Sequence, residues 1–280
     1  MEKAIHWYPG HMKKAQIEVE EKLKLVDCVI ELLDARIPFS SRNEKLFELS
    51  KNKARLIVLT KSDLADPSFT KEWISYYLSL GYKVISANLN NPKDVKTIIF
   101  EASKLGDKKH EKETKRGLKP SPVRAMIIGI PNVGKSTLIN KMANRKAASV
   151  QNKPGHTKSQ QWIKVNKDFD LLDTPGILQS NYEDKEKAIN LALVGSITQD
   201  ILPIDFLANR LLSFLNETYP SYLLSRYGEC DYSDETKSFN HIAQKRGYLI
   251  KDGYDINKAQ ITLLNEFKNG VLGRCSLEKR

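Results

Sequence analysis

The sequence predicts an α/β fold joined to a second, mostly α-helical C-terminal domain. Three observations lead to this prediction. Short apolar runs alternate with helical stretches between residues 26 and 105, which is typical of parallel βαβ units. A second group of β-rich runs begins at residue 123, after a highly charged stretch. From about residue 183 the strand patterns stop and helical patterns remain.

The first half of the chain predicts an initial helix and then alternating strands and helices. Residues 11–25 repeat apolar residues at helical spacing and carry mixed charge, which indicates an exposed amphipathic helix. Three apolar runs after it have the length of buried strands. The strands are predicted at 27–33, 55–59 and 82–86, and the helices at 44–51, 71–80 and 92–105.

Residues 106–121 are nearly all charged or helix-breaking, which predicts an exposed connector between two apolar halves. A contact with phosphate is the alternative for this segment. The domains are therefore expected at 1–182 and 183–280, with the connector inside the first. After the connector, strands are predicted at 123–130, 162–165 and 169–173, and helices at 135–143, 188–197, 204–216, 238–245 and 258–268.

The composition limits the partners and the compartment. The chain has 45 Lys and Arg against 34 Asp and Glu, a formal net charge of +11, which favours a polyanionic partner such as nucleic acid over a merely soluble basic protein. Neither a membrane-spanning apolar run nor the apolar core of a signal peptide is recognisable, so we expect a cytoplasmic protein without a membrane partner. Cys28, Cys230 and Cys275 lack metal-type spacing and are expected to be reduced thiols.

Residues 129–136, GIPNVGKS, match the phosphate-binding pattern G-x-x-x-x-G-K-[ST] between a predicted strand and a predicted helix. In such a P-loop the backbone N–H groups surround the phosphates. Lys135 would place a cation at the β- and γ-phosphates, and Ser136 would offer an oxygen to Mg²⁺. A chance match in a turn is the alternative, but the flanking elements favour binding of a nucleoside triphosphate.

A second motif, LLDTPG at 171–176, follows about forty residues later. Asp173 would hold Mg²⁺ through a water, and Gly176 would donate its N–H to the γ-phosphate. Thr157, in the loop between the two motifs, is placed to complete the metal shell. An isolated Asp-x-x-Gly is a common turn, so the assignment depends on the accompanying P-loop.

The identity of the base is predicted at Thr60-Lys-Ser-Asp63, directly after an apolar strand. The Asp63 carboxylate can accept the guanine N1–H and N2 amino group, and a buried, unpaired Asp63 would disfavour adenine. Lys61 would lie along the purine face, and the 86–88 segment would offer a backbone N–H to guanine O6. The alternative for residues 60–63 is an ordinary helix cap. An ATP-dependent kinase is disfavoured.

The base-reading segments precede the P-loop, which is the reverse of the usual order. With this order the chain resembles, from end to end, the circularly permuted GTPases of ribosome assembly, most closely the bacterial ribosome biogenesis GTPase A type. One departure is Thr60, where the usual guanine motif has Asn; Asp63 carries most of the discrimination. The motifs that carry the resemblance are WYPGHM at 7–12, DARIP at 34–38, PNVGKST at 131–137, DTPG at 173–176 and LGRCSLE at 272–278.

The resemblance implies a circularly permuted P-loop GTPase fold that hydrolyses GTP to GDP and phosphate with Mg²⁺. Residues 1–182 would bind GTP, and residues 183–280 would bind RNA or the ribosome. The residues expected to bind nucleotide are Thr60, Lys61, Ser62, Asp63, Ser86, Ala87, Asn132, Val133, Gly134, Lys135, Ser136, Thr137, Thr157, Asp173 and Gly176.

The resemblance also implies the biological role. The GTP-bound protein would bind the precursor of the large (50S) ribosomal subunit and its rRNA as a monomer, and would leave after a hydrolysis step that the subunit stimulates. A GTPase with another RNA target and a non-catalytic GTP-gated binding module are the alternatives. Basic residues suited to phosphate contacts are Lys13, Lys14, Lys245, Arg246, Lys251, Lys268 and Arg274.

Catalysis needs a substitute for the glutamine that orients the attacking water in many GTPases, because Ile177 follows Gly176. The resemblance implies His11 as that substitute, beside Lys135 and Thr157; RNA binding or capping of the first helix are alternatives for His11. By the same resemblance, Asn132 would help to bind K⁺ next to the phosphates. The alternative is that Asn132 only shapes the loop.

Overall fold

The computed structural model describes residues 5–6, 11–143, 162–172, 181–182, 184–197 and 202–280. Its α/β part contains most of the predicted elements, with shifts of a few residues at their ends. The helices are α1 (His11–Leu23), α2 (Glu44–Leu49), α3 (Pro67–Ser79), α4 (Pro92–Ser103), α5 (Asp107–Lys115) and α6 (Lys135–Met142). The strands are β1 (Ile5–His6), β2 (Cys28–Asp34), β3 (Ala54–Thr60), β4 (Lys83–Ala87), β5 (Val123–Ile128), β6 (Trp162–Asn166), β7 (Phe169–Leu172) and β8 (Asn181–Tyr182).

The main sheet of the described residues has the order β4-β3-β2-β5-β7-β6. All neighbouring strands are parallel except β6, which runs antiparallel to β7. Every residue of β2 is buried, because helices cover both faces of a parallel sheet and leave no solvent-facing side. The parallel strands therefore bring their carboxyl ends, and the loops after them, to one edge of the sheet.

The C-terminal part is mostly helical, as the sequence predicts. Its apolar residues join one continuous buried cluster with those of the sheet. The division of the chain near residue 182 stays a prediction. The described elements are α7 (Lys185–Leu193), α8 (Ile204–Thr218), α9 (Pro220–Tyr227), α10 (Glu235–Arg246), β9 (Leu249–Ile250), β10 (Gly253–Tyr254) and α11 (Ile256–Lys268).

The connector at 106–121 is largely exposed, as the sequence predicts, but residues 107–115 form the helix α5, which the sequence does not predict. Lys109 forms an ion pair with Asp27 at 2.9 Å, and Glu113 accepts hydrogen bonds from the N–H and hydroxyl of Ser121. These local contacts return the chain to the start of β5. The segment connects the two halves, but half of it is helical.

Two further differences have local causes. Helix α3 begins at Pro67, four residues before the predicted start, because the Asp66 side chain accepts the Ser68 N–H and proline suits the first helical position. Helix α9 and the β9–β10 hairpin are absent from the sequence prediction, since each is too short for a periodic pattern. Within the described ranges, none of the helices combines the length and apolar character needed to span a bilayer.

Candidate nucleotide-binding site

The P-loop motif lies in the turn between β5 and α6, at the carboxyl edge of the sheet. Gly129 and Gly134 have φ values of +156° and +110°, where a side chain would be strained. A Cβ on Gly129 would lie 2.8 Å from the Leu32 carbonyl oxygen, and one on Gly134 would lie 2.7 Å from Leu89 Cδ1. The glycines therefore let the loop pass close to the neighbouring strand end and to the loop after β4.

Lys135 begins α6 and is buried. Its ammonium donates hydrogen bonds to the carbonyl oxygens of Gly129 and Ile130, at 3.0 and 2.5 Å. These bonds hold the cation across the loop that would surround the phosphates. Ser136 and Thr137 are exposed in the first turn of α6, where a helix has N–H groups without intrahelical acceptors. The arrangement suits an anion.

Asn132 and Val133 shape the middle of the loop. Asn132 has a φ of +59°, a conformation that asparagine tolerates better than most residues. Its side-chain amide nitrogen donates a hydrogen bond of 2.8 Å to the carbonyl oxygen of Gly195, two residues beyond the end of α7. Val133 is fully buried. The P-loop is thus bonded directly to the start of the helical part of the chain.

Thr60, the departure from the usual guanine motif, joins the two motifs. It ends β3 and is fully buried. Its hydroxyl oxygen lies 2.7 Å from the carbonyl oxygen of Val133 in the P-loop and 3.1 Å from that of Leu33. The structure thereby brings the 60–63 segment and the P-loop into contact across the end of β2.

Lys61 is held by a buried ion-pair cluster at the end of β2. Its ammonium lies 2.9 Å from an Asp34 carboxylate oxygen, and the Arg36 guanidinium makes two hydrogen bonds to the same carboxylate, at 2.9 and 2.8 Å. Burial alone would raise the pKa of Asp34, but Arg36 and Lys61 hold it well below its usual range. The sequence assigned no site role to Asp34 or Arg36, although the DARIP motif contains both.

The carboxylate of Asp63 is exposed, and among the described residues it accepts no hydrogen bond. The carboxylate becomes buried only when a base covers it. The expected free-energy penalty against adenine therefore arises only in the complex with the base. The neighbouring Ser62 N–H donates to the Ala87 carbonyl oxygen at 3.3 Å, which joins the two predicted base-reading segments. Ser86 is exposed beside them, and the Asn88 N–H is already donated to Asp94.

Four predicted site residues are wholly or partly outside the described structure. Thr157, Asp173 and Gly176 lie outside the described residues. His11 is the first residue of α1, and its side chain lies outside the described side chains. Within the described residues, no group of three or more His, Cys, Asp or Glu side chains could hold a metal ion. Serine, as at position 136, is not among those residue types.

The structure also shows what the predicted phosphate-contacting basic residues bind. Arg246 forms an ion pair with Glu266, and the Arg274 guanidinium donates to two backbone carbonyls. Burial, and next the nearby Arg36, lower the pKa of Lys268. Three of the predicted basic residues thus make intramolecular contacts or are half-buried. Lys245 and Lys251 are exposed, and the side chains of Lys13 and Lys14 lie outside the described ones.

A mostly parallel sheet that carries a P-loop and a base-reading loop on one edge defines a P-loop nucleotide-binding protein, and the order of these motifs along the chain makes it a circularly permuted one. Residues 124–219 match the family model described as 50S ribosome-binding GTPase. Ribosome biogenesis GTPase A of Bacillus cereus is 43% identical, covering 98% of this chain and 93% of that protein. Its Thermotoga maritima counterpart is 33% identical, with 98% and 94% covered.

Solved structures agree with these matches. The GDP-bound structure of TM YlqF has a TM-score of 0.67 and 28% identity, covering 94% of this chain and 98% of that one. GNP-bound YlqF from T. maritima has a TM-score of 0.66 and 29% identity, with 95% and 98% covered. The chain belongs to the ribosome biogenesis GTPase A family. The predicted family, the permuted fold and the GTPase activity are thereby confirmed, and with them the binding of guanine nucleotide.

Proposed function

We propose that this GTPase assembles the large ribosomal subunit: it binds the subunit precursor and its rRNA in the GTP state and leaves after hydrolysis. The observation that carries the proposal is the hydrogen bond from the Asn132 side chain to the Gly195 carbonyl. Through it, a change at the phosphates reaches the helical part directly. The net charge of +11 and the names of the relatives support a ribosomal partner. The protein would act as a cytoplasmic monomer.

Mg²⁺ would be bound by Ser136, by Thr157 and, through a water, by Asp173. The exposed hydroxyl of Ser136 in the first turn of α6 fits this role, because a hard cation prefers oxygen ligands beside the phosphates. The ion would neutralise charge that develops during phosphoryl transfer. Lys135 would contribute the second positive charge from inside the loop.

His11 would orient or activate the attacking water, since Ile177 has no polar group for this purpose. We expect His11→Ala to lower GTP turnover and to leave GDP affinity unchanged. The alternatives for His11, RNA binding and helix capping, predict weaker subunit binding or a lower melting temperature instead. Unchanged turnover, both basal and with subunits, would exclude the catalytic role.

Asn132 would contribute its side-chain oxygen to a K⁺ ion beside the phosphates, because its amide nitrogen is already donated to Gly195. A monovalent cation there would stabilise charge in the transition state without an arginine from a partner. We expect faster hydrolysis in K⁺ than in Na⁺ buffer, and no such difference in Asn132→Ala. Equal wild-type rates in the two buffers would argue against the ion.

The decisive experiment measures GTP hydrolysis and co-sedimentation with and without purified large subunits. We expect faster phosphate release with the subunits, and tighter, salt-sensitive binding with a GTP analogue than with GDP. Lys135→Ala is the control, because it lacks the cation at the phosphates and should show neither effect. Equal affinity in the two nucleotide states would refute the release model, and retention by tRNA instead of subunits would indicate another RNA target. If the subunits do not stimulate hydrolysis, the remaining candidate function is a non-catalytic, GTP-gated binding module.

A further inference from the structure

The last residues of the chain, 270–280, lie against the loop that follows β3; we refer to these segments as the C-terminal tail and the 60–66 loop. The guanidinium of Arg274 donates from Nη2 to the Ser62 carbonyl oxygen at 2.7 Å and from Nε to the Ala65 carbonyl oxygen at 2.8 Å. One planar group therefore spans the loop on both sides of Asp63. The loop curves around this side chain, although Arg274 itself is exposed to solvent.

The next two tail residues continue the contact. The Cys275 N–H donates to the Leu64 carbonyl oxygen at 3.0 Å, and the Asp66 N–H donates to the Ser276 hydroxyl oxygen at 3.0 Å. Cys275 and Ser276 are buried, so these bonds are largely shielded from water. Tight packing adds to them, because a Cβ on Gly270 would lie 2.6 Å from the Leu64 side chain.

Asp63 lies between these fixed points. The carbonyls of Ser62, Leu64 and Ala65 accept from the tail, and the Ser62 N–H donates to the Ala87 carbonyl oxygen. The flanking backbone is thus fixed on two sides, while the carboxylate is exposed and accepts no hydrogen bond in the described part of the chain. A loop held in this way presents one side chain in one orientation.

The tail is itself anchored beyond the loop. The Leu277 N–H donates to the Arg36 carbonyl oxygen at 2.9 Å. The half-buried Glu278 carboxylate accepts the backbone N–H groups of Phe39 and Ser40 and the Asn190 side-chain amide. Because these bonds fix the chain directly after residues 274–276, the 60–66 loop can leave the tail only if its own bonds to residues 274–276 break.

We propose that residues 274–276 set the conformation of the 60–66 loop, and that Arg274 is a positioning residue for recognition of the guanine base. The inference rests on the proposed reading of guanine by Asp63. Arg274 does not touch the nucleotide; it fixes the backbone from which Asp63 extends. Base specificity in the N-terminal half thus depends on a side chain 211 residues further along the chain.

The test compares dissociation constants for GDP and IDP, since hypoxanthine lacks the 2-amino group that the Asp63 carboxylate would accept. In Arg274→Ala we expect GDP affinity to fall by about three- to tenfold, the equivalent of one ordinary hydrogen bond, with a smaller loss for IDP. The preference for GDP over IDP therefore narrows. General weakening of the fold would affect both ligands alike, because their phosphates and riboses are identical.

Arg280→Ala is the matched control, because Arg280 belongs to the same tail but stacks on Tyr76 and makes no hydrogen bond or ion pair with the 60–66 loop. We expect it to keep the wild-type preference. Arg274→Lys should give an intermediate preference, since an ammonium lacks the planar fork that reaches two carbonyls. If Arg274→Ala is unfolded by circular dichroism, Arg274→Lys and Ser276→Ala decide the question in the same way.

If the folded Arg274 variants prefer GDP over IDP as strongly as the wild type does, the inference is overturned. Failure of the proposed base reading has a different signature: the wild-type protein would then show no preference for GDP over IDP, or Asp63→Ala would keep that preference. Narrowed preference in Arg274→Ala, together with an unchanged Arg280→Ala, supports the positioning role.

Discussion

A single hydroxyl connects the base-reading loop to the phosphate loop. Thr60 is fully buried, and its Oγ1 lies 2.7 Å from the Val133 carbonyl oxygen. A buried carbonyl that loses its donor costs about 1–3 kcal/mol. Threonine at this position therefore has a structural role between the two loops, which explains how the site accommodates the departure from asparagine.

We predict that Thr60→Val, which keeps the side-chain shape and removes the hydroxyl, lowers the free energy of unfolding by about 1–2 kcal/mol. It should also weaken GDP binding, because the Val133 carbonyl is no longer held. Thr60→Ser, which keeps the hydroxyl, is the control. Urea unfolding and a GDP titration measure the two effects. A serine variant with weaker GDP binding than the valine variant would contradict the role of the hydroxyl.

The ion-pair cluster around Asp34 makes a pH-dependent contribution to stability. The pKa of Asp34 is lowered in the folded state, so its carboxylate stabilises the fold above the ordinary pKa of about 4 and this stabilisation is lost as the pH falls. We predict that Asp34→Asn lowers the unfolding free energy by about 3–5 kcal/mol at pH 7, because Arg36 and Lys61 lose their partner.

The pH dependence of this stability difference provides the control for the Asp34→Asn prediction. The difference in unfolding free energy between wild type and Asp34→Asn should shrink as the pH is lowered from 7 towards 3. Below the ordinary pKa of about 4 the unfolded wild-type chain binds a proton at Asp34, while the folded protein still holds the carboxylate. Thermal or urea unfolding across this range provides the test. A difference that is independent of pH would mean that the variant acts through packing alone.

Residues whose chemistry depends on spacing along the chain can be proposed from the sequence alone, and their roles stay predictions. Lys135 and Ser136 follow from the P-loop pattern, and Asp63 follows from its place after an apolar strand. Asp34 and Arg274 could not be assigned in this way. Asp34 meets Lys61 only because β2 and β3 are neighbours, and Arg274 meets Ser62 through a contact between distant parts of the chain.

At the scale of elements, the residue before α5 packs so closely against the first residue of β5 that it must be a glycine. Gly106 has an ordinary φ of −85°, but a Cβ there would lie 2.2 Å from Val123 Cγ2. The close approach fixes the path of the connector onto the first residue of β5. Since φ is unstrained, only the contact with Val123 opposes a side chain at position 106.

We therefore predict that Gly106→Ala lowers the unfolding free energy by about 1–3 kcal/mol, the usual cost of overpacking. Val123→Ala removes the atoms that collide. The double variant should lose less stability than the sum of the two single variants, and urea unfolding of all four proteins measures this coupling. Additive losses would show that the clash is relieved elsewhere.

A strand or helix was predictable from the sequence where its apolar pattern is long enough to recognise. The apolar runs of β2 and β3 are continuous because both faces of the sheet are covered, and the sequence located them within one residue at each end. Helix α5 was not predicted, since its highly charged composition resembles that of a linker. Its helicity depends on contacts such as Lys109 with Asp27, which local composition does not contain.

At the scale of the whole molecule, the permuted order of motifs was readable from the sequence, but the path of the tail was not. Residues 274–278 contact the 60–66 loop, the Arg36 carbonyl and α7, and no local pattern indicates such partners. Their placement makes the C-terminal tail and the 60–66 loop interdependent. A ligand that fixes the 60–66 loop must then also stabilise the tail, because coupling between two sites is reciprocal.

This reciprocity gives a prediction about the tail in the wild-type protein. The Cys275 and Leu277 N–H groups donate to carbonyls of Leu64 and Arg36, so their hydrogen exchange requires that the tail separates from the loop. Saturating GDP should slow the exchange of both amides, whereas pyrophosphate, which occupies the phosphate loop without a base, should slow it less. Hydrogen–deuterium exchange of the C-terminal peptide measures the difference. Equal protection by GDP and pyrophosphate would mean that the tail responds to the phosphates and not to the base.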